Sequence, residues 1–475
     1  MKIIPLAFTY EDVLLLPKRT PLKSRAEADI RSLFTKNIIL NTPFVSANMA
    51  TVTEHKMAIA MAREGGLGVI HQFAPVEDQV FEVKKVKKST SYIIENPVSI
   101  SPRLSIAEAL QVMQQESVTS LLVMNGEELV GILTHRDYLF EKDFDRPVRE
   151  VMTPREKLIM APFGITQEEA KQILHTHRIE KLPLLEDGRV RGLITTQDIS
   201  KLEYWPNASR DRKGRLMVAA AVGVKDALER ADALVAAGVD VLVLDVAHAH
   251  SDFVIEKLKE LKSNFSVDVM VGNIASAEAA QDLIEAGADG LKVGIGPSPV
   301  CTTRVMSGAG VPQLTAVMNV CEVAKTYGIP VTADGGMKYP GDVAKAIAAG
   351  ASSIYSGSFF AGTDQAPGMI IMKDGKRYKK YAGSASYDSN HIRKEHEVGH
   401  QVKEKMDIFV EGIATLVDYK GAVEDVVKGL KKGLQSAISY CGASNIREMQ
   451  ENAEFVQITS SGWNESLGRG NKVSE

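Results

Sequence analysis

The sequence predicts an α/β fold: a (β/α)8 barrel of the TIM type, interrupted after its second strand by an insert at about 92–205 that repeats itself. Three observations predict it. From about 210 to 365, short β-branched runs alternate with Ala-rich helical patterns. This is the rhythm of a parallel sheet whose strands are buried on both faces and so read as continuous apolar runs. Six such runs fall there and two precede the insert, which makes the eight that a closed barrel needs. Between Tyr92 and Leu202 the rhythm changes and the same series of elements occurs twice.

The barrel strands are read in order at Pro43–Ala47, Leu67–Ile70, Leu216–Ala221, Val241–Asp245, Val269–Asn273, Gly290–Val293, Pro330–Ala333 and Ser353–Ser356. Ala237-Gly238, Ala286-Gly287 and Ala349-Gly350 end the intervening helices, where glycine supplies a left-handed cap. An open doubly wound sheet is the alternative. The count of eight and the lack of a Gly-x-Gly-x-x-Gly motif after the first strand weigh against it.

Within the insert, the first copy (about 92–147) runs through Pro97–Ile100, a helix Ile106–Gln115, then Ser120–Val123 and Leu129–Leu133. The second (about 148–205) runs from Val151–Pro154 through a helix Gln167–His177 to Lys181–Leu185 and Val190–Ile194. Two copies make a pseudo-symmetric pair, because a solenoid needs three or more units. Each copy closes on Thr-x-x-Asp: Thr134 with Asp137, and Thr195 with Asp198. That motif serves equally as a helix N-cap or as a carboxylate for a ribose diol. The paired repeat resembles tandem CBS domains (a Bateman module). The resemblance implies that Asp137 and Asp198 hold the ribose of an adenine or guanine nucleotide, which is sensing rather than chemistry.

Composition narrows the function. Charged residues make up 24% and the net charge is −4, without a strong basic patch, so a nucleic-acid partner is not expected. No apolar run is long enough to span a membrane, and the opening Met1-Lys2-Ile3-Ile4-Pro5 is not a signal peptide. The three cysteines, Cys301, Cys321 and Cys441, are too few and too scattered for a disulfide framework or a zinc site, which points to a cytoplasmic setting. Cys321 and Cys441 read as small buried hydrophobes.

Barrel enzymes place their chemistry at the C-terminal ends of the strands. There this chain carries Asp245, Asn273, the loop Gly294–Arg304, Asp334-Gly335-Gly336 and Gly357-Ser358. The last two groups follow strands seven and eight, the usual phosphate corner. Glycines there let backbone N–H groups approach phosphate oxygens, and Asp334 beside them suits ribose hydroxyls. Cys301 ends a Gly-rich loop ahead of Thr302-Thr303-Arg304. Its position supports a nucleophile and a structural cysteine equally.

The run Gly294-Ile295-Gly296-Pro297-Ser298-Pro299-Val300-Cys301-Thr302-Thr303-Arg304 is similar to the catalytic loop of the family that comprises IMP dehydrogenase and GMP reductase. Thr9–Pro17, Gly272-Asn273, Asp334–Gly336 and Phe360–Thr363 resemble the same family, and the insert sits at that family's usual place. The resemblance implies a purine-nucleotide oxidoreductase in which the Cys301 thiolate adds to C2 of a purine 5′-monophosphate, with NADPH or NAD as cofactor. Thr303 and Glu411 then assist catalysis. Asn48, Ser298, Asp334, Gly335, Gly336, Gly357, Ser358, Tyr381 and Gly383 face the substrate, and Asp245, Asn273, Gly294 and Gly296 face the nicotinamide. The carbonyls of Gly294, Gly296 and Cys301 form a candidate K+ site. A homotetramer, or an octamer through the repeats, is also implied.

The two activities differ in the fate of the covalent intermediate. The dehydrogenase activates water, in this family with an Arg-Tyr pair on a flap, here at about 384–421. No Arg-Tyr pair lies between Ser384 and Glu411; Arg393-Lys394, Glu397-Val398 and three histidines, His391, His396 and His400, occupy that stretch. The reductase instead protonates a leaving amine, for which Thr303 and Glu411 match. Ser46-Ala47-Asn48-Met49 also resembles reductases, and Gly442–Asn445 with Glu411–Thr415 resembles the CBS-containing bacterial reductase branch. Pro299 and His71-Gln72 depart from the family pattern, at positions tied to phosphate and base. The reductase is the favoured reading, with a dehydrogenase using a flap histidine as the first alternative and a non-catalytic nucleotide sensor as the second.

Overall fold

The structure is a computed structural model and describes residues 5–89, 93–95, 97–116, 118–197, 199, 204–384, 386 and 411–468. Eight parallel strands close into a barrel: β1 Phe44–Ser46, β2 Leu67–Ile70, β3 Ala219–Val222, β4 Val241–Asp245, β5 Asp268–Ile274, β6 Gly290–Val293, β7 Val331–Asp334 and β8 Ser353–Ser356. They neighbour one another in chain order, and closure comes from β8 pairing with β1 (Ile354 opposite Phe44). The closed barrel is as expected, and the alternative of an open sheet is excluded. Ala219–Val222, Val241–Leu244 and Val269–Val271 are wholly buried, as strands covered on both faces must be.

The third strand begins later than its apolar run, which starts at Leu216. Met217 N–H donates to the Ser209 carbonyl and Val218 N–H to the Asp240 carboxylate, so both are drawn off the ladder. The seventh strand extends one residue further than expected, placing Asp334 within it and opposite Tyr355. Gly238, Gly287 and Gly350 take φ values of 89°, 100° and 113° after their helices, as the Ala-Gly pairs require.

The chain divides into two compact units: 1–89, 207–209 and 216–475 form one, 90–206 and 210–215 the other. The sequence boundary near 205 is thus a double crossing. Ser209 N–H donates to the Ala62 carbonyl, which ties 207–209 to the barrel unit. Residues 210–215 instead fold on Asp211, and Lys213 pairs with Glu95.

The inserted unit repeats one pattern. Its first half has a sheet ordered Thr153–Pro154, Glu128–Thr134, Ser120–Asn125, Ser99–Ile100 with the helix Ile106–Gln115; its second has Ala161–Pro162, Lys181–Glu186, Arg189–Thr195, Ile93–Glu95 with Gln167–His177. Both helices open on a capping box, Ser105 with Glu108 and Thr166 with Glu169. Leu122, Leu129, Ile132 and Leu193 pack between the halves. No helix among the described residues is long and apolar enough to cross a membrane.

Candidate active site

The strand ends of the barrel bring Asn48, His71, Asp245, Asn273, Gly294, Asp334 and Ser356 to one face, although they are scattered over three hundred residues of chain. The Cys301 loop leaves β6 toward this face. Gly294 has φ 151°, and a Cβ there would come within 2.2 Å of the Asp334 carbonyl, so only glycine lets the loop pass the end of β7. Arg304 holds the loop's two ends together, donating through Nε to the Ile295 carbonyl at 3.0 Å and through its guanidinium to the Val311 carbonyl.

Cys301 is half-buried and free. Its thiol donates to the Thr303 hydroxyl at 3.2 Å, and Thr303 opens the short helix Thr303–Ser307. Glu411-Gly412-Ile413 lies alongside. Thr302 N–H donates to the Glu411 carbonyl at 2.8 Å, Ile413 N–H to the Val300 carbonyl at 2.9 Å, and Cys301 forms a bridge with Gly412. Gly383 N–H donates to the Ile413 carbonyl, and a side chain at Gly383 would strike the Val300 carbonyl. The two stretches that flank the flap are therefore stitched to the cysteine loop through their backbones. Glu411 reaches the loop by its carbonyl; its carboxylate makes no bond to Thr303. The flap residues His391, Arg393, Lys394, His396, Glu397, Val398 and His400 lie outside the described residues.

The floor of the site is a charge cluster centred on Lys292, the charged member that sequence reasoning missed. Lys292, 2% exposed, reaches from β6 to Asp245 Oδ1 at 2.7 Å and Asp334 Oδ2 at 2.9 Å, and also donates to Asn273 Oδ1. Burial alone would lower its pKa, but the two carboxylates outweigh burial and hold it above the ordinary lysine value. Asn48 Nδ2 donates to Asp245 Oδ2 at 2.7 Å while Tyr355 O–H donates to Asn48 Oδ1 at 2.7 Å, which sets the asparagine amide's orientation. Asn273 Nδ2 bridges the Gly294 carbonyl and Asp334 Oδ2. The signal was available: a lysine inside a strand buried on both faces needs anionic partners.

At the phosphate corner, Gly335 and Gly336 both have φ 80°. Gly335 N–H donates to the Tyr355 carbonyl, whereas Gly336 N–H has no protein acceptor among the described residues. A recess opens here between Pro297, Pro299, Gly336, Ser358 and Phe359. Gly357 has no room for a side chain, since a Cβ would lie 2.6 Å from the Tyr381 hydroxyl. Burial pushes the Tyr381 phenol up, against a hydrogen bond with Ser298 that lowers it, so it meets a ligand as a neutral donor.

His71 sits at the end of β2, and burial lowers its pKa to about 4. Its Nδ1 accepts from Phe73 N–H at 3.2 Å. The unfolded chain binds a proton near pH 6.5 that the folded chain refuses, so stability falls as pH drops from 6.5 toward 4. Between pH 6.5 and 5 the loss should be about 2 kcal/mol by urea unfolding. A His71→Asn variant that shows the same slope would sink this assignment.

In the insert, Asp137 is spent locally. One oxygen accepts from Thr134 N–H and hydroxyl at 2.6 and 2.7 Å, the other from Thr153 at 2.8 Å. Thr134 caps the helix His135–Tyr138. Thr195 ends its strand and Asp198 lies outside the described residues.

A family model described as the IMP dehydrogenase / GMP reductase domain matches residues 7–468. An inosine-5′-monophosphate dehydrogenase of Nitrosopumilus maritimus is 48% identical over 96% of this chain and 97% of its own length. A GMP reductase of Leishmania donovani is 44% identical over 98% of this chain and 96% of its own length. The crystal structure of a cysteine-to-alanine GMP reductase from Trypanosoma brucei, in complex with guanosine 5′-monophosphate, superposes with a TM-score of 0.86 at 41% identity, covering 98% of both chains.

Proposed function

The chain belongs to the IMP dehydrogenase / GMP reductase family of oxidoreductases, and within it we propose that it is a GMP reductase, converting GMP and NADPH to IMP, ammonia and NADP+. The observation that carries this reading is the Cys301 thiol donating to the Thr303 hydroxyl at 3.2 Å, beside a Glu411 stretch bound to the same loop. A thiol and a hydroxyl in contact, with the Glu411 backbone paired to the same loop, suit delivery of a proton to a leaving amine once the Glu411 carboxylate turns to Thr303. A water-activating Arg-Tyr pair is absent from the sequence between Ser384 and Glu411.

In this reading the Cys301 sulfur bonds to C2 of GMP. The C2 amine takes a proton relayed through Thr303 and Glu411 and leaves as ammonia, which creates a Cys–purine thioimidate. NADPH, when bound, supplies hydride to C2, and the thiolate is expelled as IMP forms. Asp245 and Asn273 border the nicotinamide, and Asn48, held between Asp245 and Tyr355, faces the substrate. Asp334 holds the ribose; Gly336, Ser358, Ser298 and Tyr381 hold the phosphate. The Gly294, Gly296 and Cys301 carbonyls bind K+, although Asn273 already donates to the first. The paired repeats bind a purine nucleotide at Thr134, Asp137, Thr195 and Asp198, with Asp137 exchanging its Thr153 bond for the ligand, and the chain assembles as a tetramer.

The test is a pair of assays. GMP with NADPH should give cofactor oxidation and ammonia in equal amounts, while IMP with NAD+ should give no steady reduction. Steady reduction with IMP would replace the reductase by the dehydrogenase, with a flap histidine as base. Binding without turnover in either direction would leave a nucleotide sensor.

A further inference from the structure

The lysine beneath the site goes beyond charge balance. Lys292 lies in the middle of β6 with its side chain wholly inside the barrel, and its three acceptors come from three other strands: Asp245 at the end of β4, Asn273 near the end of β5, Asp334 at the end of β7. Each acceptor is fixed from a second direction. Asp245 receives Asn48, which is oriented by Tyr355. Asn273 reaches back to the Gly294 carbonyl. The Asp334 carbonyl accepts from Gln313 Nε2 at 3.0 Å, and that glutamine also ties the Val293 carbonyl. The outcome is selective. Asp334 Oδ2 takes both Lys292 and Asn273, whereas Oδ1 has no protein donor among the described residues and the side chain keeps 23% exposure.

We propose that Lys292 is the positioning residue for ribose recognition: its ammonium locks Asp334 so that Oδ1 alone faces the open site, aimed at a sugar hydroxyl. This rests on the purine-mononucleotide reading of the site. The ammonium and Asn48 occupy the two oxygens of Asp245, and the ammonium with Asn273 occupies the inner oxygen of Asp334, so the cluster shows a ligand one outward acceptor. A 2′-hydroxyl donating to that ionised oxygen makes a charge-assisted bond, while a 2′-deoxy sugar leaves a partly buried carboxylate oxygen without its donor. A lysine needed only to neutralise charge would stabilise the fold but would not alter the preference between two sugars.

The experiment measures calorimetric binding of GMP and of 2′-deoxyguanosine 5′-monophosphate to the full chain without cofactor. The wild type should prefer the ribonucleotide by about tenfold or more. Lys292→Met should reduce the preference below about threefold by weakening GMP, with the deoxynucleotide little changed. Because methionine alone strands two buried carboxylates, the ratio is also measured on the charge-balanced pair Lys292→Met with Asp245→Asn. Lys292→Arg should restore part of it. A folded methionine variant that keeps the full preference overturns the proposal, as does a wild type that binds both sugars equally. A wild type that binds neither nucleotide overturns the purine-mononucleotide reading itself.

Discussion

Cys301→Ala should abolish turnover, by on the order of a thousandfold or more, while leaving GMP affinity within a few-fold of the wild type. The reason is positional. The sulfur is half-buried at the end of a loop fastened on three sides, by Arg304, by the Glu411–Ile413 stretch and by Gly294 against β7. Removing one sulfur from such a loop deletes the atom proposed to bond to the purine and little else. The other two thiols offer an internal control. Cys321 is buried and pushed up to about 12, and Cys441 is wholly buried and raised, so neither supplies thiolate near neutrality. Iodoacetamide at pH 7.5 should therefore modify one site, Cys301, read by peptide mass, and GMP should protect it. An alanine variant that retains more than a tenth of the rate would remove the covalent mechanism.

Among the described glycines, Gly294→Ala should be the most damaging added methyl group, cutting kcat/KM by about a hundredfold or more and destabilising the chain by a few kcal/mol, roughly 2–4. The alanine Cβ would be driven to 2.2 Å from a backbone carbonyl, that of Asp334, at a φ of 151°. Neither atom can yield without moving the cysteine loop or the end of β7. Gly308→Ala is the matched control. Gly308 caps the helix that follows Thr303 at φ 72°, with open space where a Cβ would stand, so it should cost only about 1 kcal/mol. Equal melting and kinetic effects for the two variants would refute the steric account of the loop.

The reading of the barrel from its apolar runs was nearly complete because parallel strands buried on both faces must be apolar throughout, so each announces itself locally. Leu67–Ile70, Val241–Asp245, Gly290–Val293 and Ser353–Ser356 occur with the bounds expected. Four bounds moved, the first strand shortening to Phe44–Ser46 and the fifth lengthening to Asp268–Ile274, and in the third and seventh a distant group was responsible: Asp240 draws Val218 out of the ladder, and Tyr355 draws Asp334 into it. The doubled insert was legible for a similar reason, since Ser105-x-x-Glu108 and Thr166-x-x-Glu169 are local capping signals. Its Thr134-x-x-Asp137 motif had two local meanings. In the structure both Asp137 oxygens serve the cap and Thr153.

By itself, then, the sequence determined the strands and their number, the interrupted order, the glycines at strand ends and the cysteine loop, all of which rest on neighbours within a few positions. Only the tertiary structure decided what Lys292 does. A lysine in a buried strand demands counter-charges, but which carboxylates answer depends on which strand ends barrel closure brings together, here β4, β5 and β7 around β6. It likewise decided that Glu411 meets the cysteine loop through its carbonyl, because backbone pairing between segments a hundred residues apart follows from closure and leaves no periodic trace in either segment.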